Sequence, residues 1–303
     1  MKVFVIIVTY NGKHWYDQCF GSLRASEIPL QTIVIDNASS DDTVSYIKEN
    51  YPEITLIESD KNLGFGQANN IGMRYALKND ADYVFLLNQD AWIEPSTIKE
   101  LVNAHKQQPE YGILSPMHLN AEKTTIEKGL FALLTYHKHI SFELISDFYT
   151  GLKKDIYDVR EANAAAWLLP RQTLETVGGF DPIFFHYAED DNYMSRVLYH
   201  RFKIGLVPKV TICHDTKRPL KKKKKQQVTF DKWLLQRSSN ILYPDTHVDK
   251  MIKDYLKQAV LKALTCNRAT FKENWNNVCF LMKNKKEILN SRKINKQKGR
   301  NWL

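Results

Sequence analysis

Two groups of polar residues in this sequence have the types and spacing to do chemistry. Asn88-Gln89-Asp90 follows the apolar run Tyr83-Val84-Phe85-Leu86-Leu87. A carboxylate at the end of a buried strand stands open at the edge of a sheet. There it can hold a hard divalent cation, Mg or Mn, that also grips phosphate oxygens. The same Asp90 also fits a plain helix cap. Glu189-Asp190-Asp191 places three acids in succession. Their mutual repulsion raises at least one pKa unless a cation or base neutralises them. A carboxylate raised in this way suits a general base near neutral pH. The trio equally suits the first turn of a solvated helix, where the macrodipole favours acids. The flanking Phe184-Phe185-His186-Tyr187 argues for partial burial. His214, after the short apolar run Val210-Thr211-Ile212-Cys213, is either a metal ligand or a buried neutral histidine.

The elements that must position these groups alternate along the first half. Val3 to Val8 is a β-branched apolar run, the pattern of a strand buried on both faces. A helix from Tyr16 to Arg24 follows, then a strand Thr32 to Ile35. Asp36-Asn37-Ala38-Ser39-Ser40-Asp41-Asp42 ends that strand and caps a helix from Thr43 to Asn50. A third strand, Ile54 to Ser59, precedes Asp60-Lys61-Asn62-Leu63-Gly64-Phe65-Gly66 and a helix from Gln67 to Lys78. This alternation predicts an α/β fold with a mixed, mostly parallel central sheet. Ligands of such sheets bind beyond the carboxyl ends of the strands. Here four strand ends carry polar clusters: Thr9 to Asn11, Asp36 to Ser39, Asn62 to Gly66 and Asn88 to Asp90. Each alone is turn chemistry; together they point to a polar ligand lying across one sheet edge.

The second half is less regular. Ala121 to Arg160 has weak periodicity and mixed aromatics, and reads as an irregular insertion that shapes an acceptor site. Ala162 to Arg171 is strand-like, and Gln172 to Val177 is a helix stopped by Gly178-Gly179. Glu189 to Arg201 reads as a helix, with short strands at Ile204–Pro208 and Val210–Cys213. Beyond Lys225 the composition shifts to amphipathic helical stretches, Phe230 to Leu242, Val248 to Leu264 and Phe271 to Leu289. The expected layout is a catalytic domain over 1–225, in halves of 1–120 and 121–225, and a helical C-terminal appendage over 226–303.

With 43 Lys and Arg against 34 Asp and Glu, the 303-residue chain carries a net charge of +9. Such a balance favours an anionic partner, and the run Lys221 to Lys225 concentrates it. No recognition motif or interleaved aromatics surround that run, so specific nucleic-acid binding is the weaker reading. The basic run and amphipathic C-terminal helices fit an anionic membrane surface or a homodimer surface equally. Cys19, Cys213, Cys266 and Cys279 form no CxxC pair, which fits a reducing, cytoplasmic compartment. The N-terminus reads as a first strand, not a signal peptide, and no apolar run approaches membrane-spanning length. Any membrane contact is expected to be peripheral, at the inner face.

Several blocks together carry a resemblance. They are Val5 to Gly12, Ile33 to Asp41, Asn62-Leu63-Gly64-Phe65-Gly66-Gln67-Ala68-Asn69-Asn70-Ile71-Gly72, Phe85 to Asp90, Val177 to Asp181, and Phe184 to Asp190. In this order, over residues 3–215, the chain resembles the inverting family-2 glycosyltransferases of the GT-A fold, particularly the bacterial rhamnosyltransferase-like branch. The resemblance implies transfer of a sugar from a UDP- or dTDP-linked donor to a saccharide or lipid-linked acceptor in surface polysaccharide synthesis. It implies that Thr9, Tyr10, Asn11, Asp36 and Ser39 line the nucleotide pocket, with Asp36 reading the base edge. Asn62, Gly64, Gly66 and Asn69 would border the nucleotide and sugar. Asn88, Gln89 and Asp90 would stand for the Asp-x-Asp motif, with Asp90 and His214 on a divalent metal. Asp190, with Glu189 beside it, would be the catalytic base. Asn88 departs from the pattern by replacing the first acid, and Asn192 stands where many members have a further acid. The loss of charge at Asn88 leaves a non-catalytic nucleotide-sugar binding protein as the alternative.

Overall fold

The computed structural model describes residues 1–216, 230–243 and 247–303. The lysine run Lys221 to Lys225 lies outside them. The first half alternates as its sequence pattern requires. Strands β1 (Val3–Thr9), β2 (Gln31–Asp36), β3 (Thr55–Glu58) and β4 (Tyr83–Leu87) are interleaved with helices α1 (Lys13–Arg24), α2 (Thr43–Asn50) and α3 (Gly64–Lys78). Residues 91–119 add β5 (Ala91–Ile93), α4 (Thr97–Gln107) and β6 (Tyr111–Leu119). Helices α5 (Lys128–Tyr136) and α6 (Lys138–Thr150) follow, then β7 (Tyr157–Val159), β8 (Ala166–Pro170), α7 (Arg171–Thr176), α8 (Glu189–Tyr199) and β9 (Lys203–His214). The chain ends in α9 (Phe230–Ser239), α10 (Val248–Leu264) and α11 (Arg268–Asn295).

The nine strands among the described residues join one mixed sheet, in the order β3-β2-β1-β4-β8-β6-β9-β5 with β7 also on β9. The strands β1 to β4, β6 and β9 run one way; β5, β7 and β8 run against them. The carboxyl ends of six strands therefore share one edge. That edge gathers Thr9, Asp36, Asn88, His118 and His214, which are far apart in sequence. The second half is sewn to the first through the β4–β8 ladder, so one sheet spans both. β1 is central, and its residues alternate between the faces: Phe4 and Ile6 enter one apolar cluster, Val3, Val5 and Ile7 the other. Helices α3, α7 and α8 cover the first face, α1 and α4 the second.

The structure differs from the sequence pattern in two places. Residues 121–160 contain two helices in place of an irregular insertion. Glu127 caps α5 by accepting from the Leu130 amide, and Leu130 and Leu134 bury one stripe. The outer face of α6 is apolar as well, so its sequence lacks the usual polar-out signal. The second difference is that the two short strands expected after Ile204 are one, β9. Its register against β6 jumps from Pro116–Val207 to Met117–Thr211, so Pro208 to Val210 bulge out. A bulge accommodates Pro208, which cannot donate to the ladder.

Helices α9 to α11 build a third cluster around Leu234, Val248, Met251, Leu281 and Ile288. They are anchored to the sheet domain by buried polar contacts. Asp181 accepts from the Ser291 hydroxyl at 2.5 Å and the Asn295 amide at 2.7 Å. Asn295 also accepts from the Trp302 indole at 2.9 Å. Among the described residues, no helix is long and apolar enough to cross a membrane. Asn295→Ala strips partners from buried Asp181 and Trp302 at once. We expect a loss of about 1–3 kcal/mol of unfolding free energy, read from urea midpoints at constant slope.

Candidate active site

A cleft of about 630 Å³ opens at the shared strand edge. Its walls include Tyr10, Asn11, Asn62, Gly64, Asn88, Gln89 and Asp90, together with His14, Trp15, Phe185 and His186. The turns that form it are fixed by side chains bonding to backbone. The Asp36 carboxylate is buried and accepts from the Ser39 amide at 3.0 Å and the Thr9 hydroxyl at 3.3 Å. Ser39 in turn accepts from the Asn11 amide at 3.1 Å, and Asn11 from the Ser40 amide at 2.8 Å. The Gln89 side chain holds Tyr10 at both its backbone groups: Oε1 accepts from the amide and Nε2 donates to the carbonyl. Asn37 and Asn62 bond each other, and Asn62 accepts from the Gly64 amide at 2.9 Å. Thus Tyr10, Asn11, Asn62, Asn88 and Asp90 face the cleft. Thr9, Asp36 and Ser39 brace it from behind, and Asn69 is buried in α3 with its amide on the Phe65 carbonyl.

Gly64 and Gly66 sit where the carboxylate segment approaches. Gly64 has φ +76°, and a β-carbon there would lie 1.7 Å from the Phe185 carbonyl oxygen. A β-carbon on Gly66 would lie 2.8 Å from Phe180 and 3.5 Å from the Glu189 β-carbon. Asn70, one turn further along α3, accepts from the Phe180 amide at 2.7 Å and donates to its carbonyl at 2.8 Å. The start of α3 is therefore moulded to the segment 180–189. Tyr187 and Ala188 both take left-handed conformations, φ +70° and +74°, at about 1 kcal/mol or more each for residues with a β-carbon. Lys232 of α9 braces them, with its ammonium on the His186 carbonyl at 2.9 Å and over the Tyr187 ring.

The trio Glu189-Asp190-Asp191 opens α8. Burial pushes Glu189 up to about 7, and the neighbouring Asp190 charge adds to the rise. Burial likewise pushes Asp191 up to about 7, reinforced by Asp190 and Glu161. Asp190 is held above the ordinary carboxylate range by burial, against the opposing pull of backbone amides at the helix start. Glu189 Oε2 is buried with no hydrogen-bond partner, whereas Asp191 accepts from Gln236 of α9 at 2.6 Å.

A second cluster lies at the ends of β6 and β9. His118, Glu127 and His214 are buried, and their donor atoms lie within 4.8 Å of one another. Asp90 Oδ1 stands 3.4 Å from His214 Nε2. Burial and the neighbouring His214 push His118 down to about 3, which favours the neutral form. The Nδ1 atoms of both histidines are buried without a partner. Two buried imidazoles grouped with the Glu127 carboxylate, with Asp90 next to His214, are a donor set of the kind that holds a divalent cation, so these residues fit one.

Comparison with known proteins identifies the family and the fold. The model of the family described as Glycosyl transferase family 2 matches residues 4–177. The chain belongs to glycosyl transferase family 2. Among its relatives is a low-salt glycan biosynthesis hexosyltransferase of Haloferax volcanii. It is 26% identical over 212 residues, which cover 70% of this chain and 66% of that protein. An N-acetylglucosaminyl-diphospho-decaprenol L-rhamnosyltransferase of Mycobacterium tuberculosis is 26% identical over 234 residues, 69% of this chain and 75% of the relative. The crystal structure of residues 1–349 of Staphylococcus aureus TarS superposes with a TM-score of 0.56 at 14% identity. The match covers 95% of this chain and 92% of that one, and establishes the GT-A fold.

Within this glycosyltransferase, sequence reading missed His118 and Glu127, Asn70, Lys232 and Gln236. The signal for His118 was a polar residue ending an apolar run, Tyr111 to Leu119, like the other strand ends. The other four act only through contacts across the fold. If Gly64 exists to admit the Phe185 carbonyl, Gly64→Ala loses at least about 2 kcal/mol of stability. Gly151→Ala is the control: φ is +75° but no atom lies within 4 Å of the added carbon, so it costs only about 1 kcal/mol. Equal losses in denaturant unfolding would show that backbone conformation alone matters.

Proposed function

We propose that this glycosyltransferase moves a sugar from a UDP- or dTDP-linked donor to an acceptor hydroxyl with inversion, and that Asp190 is the base. The observation that carries this reading is the desolvated carboxylate trio moulded onto the wall of the cleft through Gly64 and Gly66. The donor would lie in the cleft, its base against Tyr10 and Trp15 and its diphosphate towards Asp90. A bound divalent cation would be held by Asp90, His118, Glu127 and His214, and would neutralise the charge of the departing diphosphate. Two imidazoles in that set favour Mn over Mg, which prefers all-oxygen ligands. Asp190 takes the proton of the acceptor hydroxyl as its oxygen bonds to the anomeric carbon. The bond from that carbon to the phosphate oxygen breaks, and its electron pair leaves with the nucleoside diphosphate. A single displacement inverts the anomeric centre. The raised pKa of the trio matches the base to proton transfer near neutrality.

The relatives support the finer assignments. The mycobacterial relative is named for a decaprenol-linked acceptor, and a relative in Shigella flexneri for a dTDP-rhamnosyl donor. We infer a deoxyhexosyl or hexosyl donor and a lipid-linked saccharide acceptor in cell-envelope polysaccharide synthesis, at the cytoplasmic face of a membrane. Exposed Leu261, Leu264, Trp275 and Met282 of α10 and α11 support a homodimer surface there. The second reading, a non-catalytic nucleotide-sugar binder, rests on Asn88, which adds no charge beside Asp90.

Calorimetry with UDP- and dTDP-sugars is expected to show binding that requires Mn. Asp190→Asn keeps that binding and loses about 10²–10⁴-fold in turnover. Retained turnover in this variant would move the base to Glu189 or Asp191. Donor binding with no hydrolysis or transfer by the wild type would favour the binder, and absence of any donor binding would end the transferase reading.

A further inference from the structure

Helix α6 packs Ile140 and Leu144 on the core and exposes a second apolar stripe on its outer face. Phe142, Ile145, Phe148, Tyr149 and Leu152 are 57–83% exposed. At 3.6 residues per turn, the four positions within the helix fall on one stripe about a third of the circumference wide, and Leu152 follows just past the Gly151 cap. Lys138 lies on the same stripe at its start, and Lys153 closes its end with its ammonium 4.5 Å over the Phe148 ring. The two acids of the helix lie off the stripe. Glu143 pairs with Lys154, and Asp147 accepts from the Tyr157 hydroxyl at 2.9 Å. The side facing the protein buries Ile140 and Leu144 alongside these acids, and the free side is aromatic and aliphatic with a lysine at each end.

Two features connect this helix to its surroundings. An apolar cavity of about 400 Å³ opens beneath it, lined by Leu144, Phe148, Met117, Tyr157 and Pro208 among others. At the α5–α6 junction, His137 lies 3.3 Å from Glu161, whose charge bears on Asp190 and Asp191. The N-cap of α5 is Glu127, a member of the buried His118–Glu127–His214 group. Helix α5 is therefore pinned at both ends to the candidate active site, and α6 continues from its second end.

We infer that α6 is an interfacial anchor that lays its Phe142–Leu152 stripe into an anionic phospholipid surface. Its 13 residues span roughly 20 Å, too short to cross a bilayer but suited to lying in its plane. The occupant is read from the charge pattern. Acids are excluded from the stripe and lysines bracket it, which places cations at headgroup depth with aromatic rings below. A protein partner would not require that bracket. Anchored in this way, the molecule presents the carboxylate trio to hydroxyls close above the membrane plane. This anchor is distinct from the C-terminal helices and does not depend on the donor chemistry.

The test is flotation of the full chain with phosphatidylcholine vesicles, with and without phosphatidylglycerol. Wild type is expected to float with the anionic vesicles. Phe142→Gln/Tyr149→Gln should lower the partition coefficient at least about tenfold on them. Lys138→Gln/Lys153→Gln should lower it about fivefold per lysine on anionic vesicles and leave neutral ones unaffected. Donor hydrolysis in vesicle-free solution should match the wild type in both variants. A wild type that floats yet fails to hydrolyse donor would support the anchor and count only against the transfer reading. A wild type that stays with the unbound fraction, or a Phe142/Tyr149 variant that floats equally well, would overturn the anchor. So would a wild-type dimer that the same variant converts to monomer, because α6 would then be a self-association surface.

Discussion

The position of Gly64 leaves room for a hydrogen and nothing larger, because the Phe185 carbonyl occupies the space a β-carbon would take. That contact joins the two halves of the candidate active site. On one side is the loop entering α3, which forms the cleft with Asn37 and Asn62. On the other is the segment 180–189, which delivers three carboxylates. Asn70 locks the same seam with a reciprocal pair of bonds to Phe180. The weak helix formers at the start of α3 are thus the price of bringing two backbones together. The left-handed Tyr187 and Ala188 follow from the same demand, since the chain must turn sharply from the seam into α8.

The buried carboxylate trio opposes stability once it is ionised. In the unfolded chain these acids titrate in the ordinary range, whereas in the fold Glu189 and Asp191 sit at about 7. A folded pKa above the unfolded one favours the fold at low pH, and the benefit is lost as pH rises through about 7. Above that pH the ionised trio is a local destabilising element. The α8 N-terminus, Lys232 and Gln236 offset part of it. Two of these three come from α9, which explains why a helical region remote in sequence is anchored so firmly through Asp181 and Asn295. The His118–Glu127–His214 group is a separate device, built from strand ends and tied to α5.

Much of the fold was legible in local pattern. The β-branched run of β1, the strand ends and the helix-stopping Gly178-Gly179 are short-range signals, and they fix the alternation of the first half. The acidic trio was legible because three neighbouring carboxylates are chemically conspicuous. What stayed hidden depends on long-range geometry. His118 and His214 meet only because β6 and β9 are parallel neighbours, a pairing that neither strand announces. Gln89 reads as part of an acidic motif, yet its amide is spent on the Tyr10 backbone. Helix α6 was illegible for a different reason. Its apolar residues lie on both its inner and outer sides, so a pattern search for polar-out helices passes over it.

The account stands on desolvation of the carboxylate trio beside the donor cleft. The most direct measurement is the pH dependence of sugar transfer at saturating donor and divalent cation. Transfer should rise with pH through a midpoint above the ordinary carboxylate range, because burial raises Asp190, and then level off. A rate already at its plateau at about pH 5, as an ordinary solvated carboxylate base would give, would contradict the account.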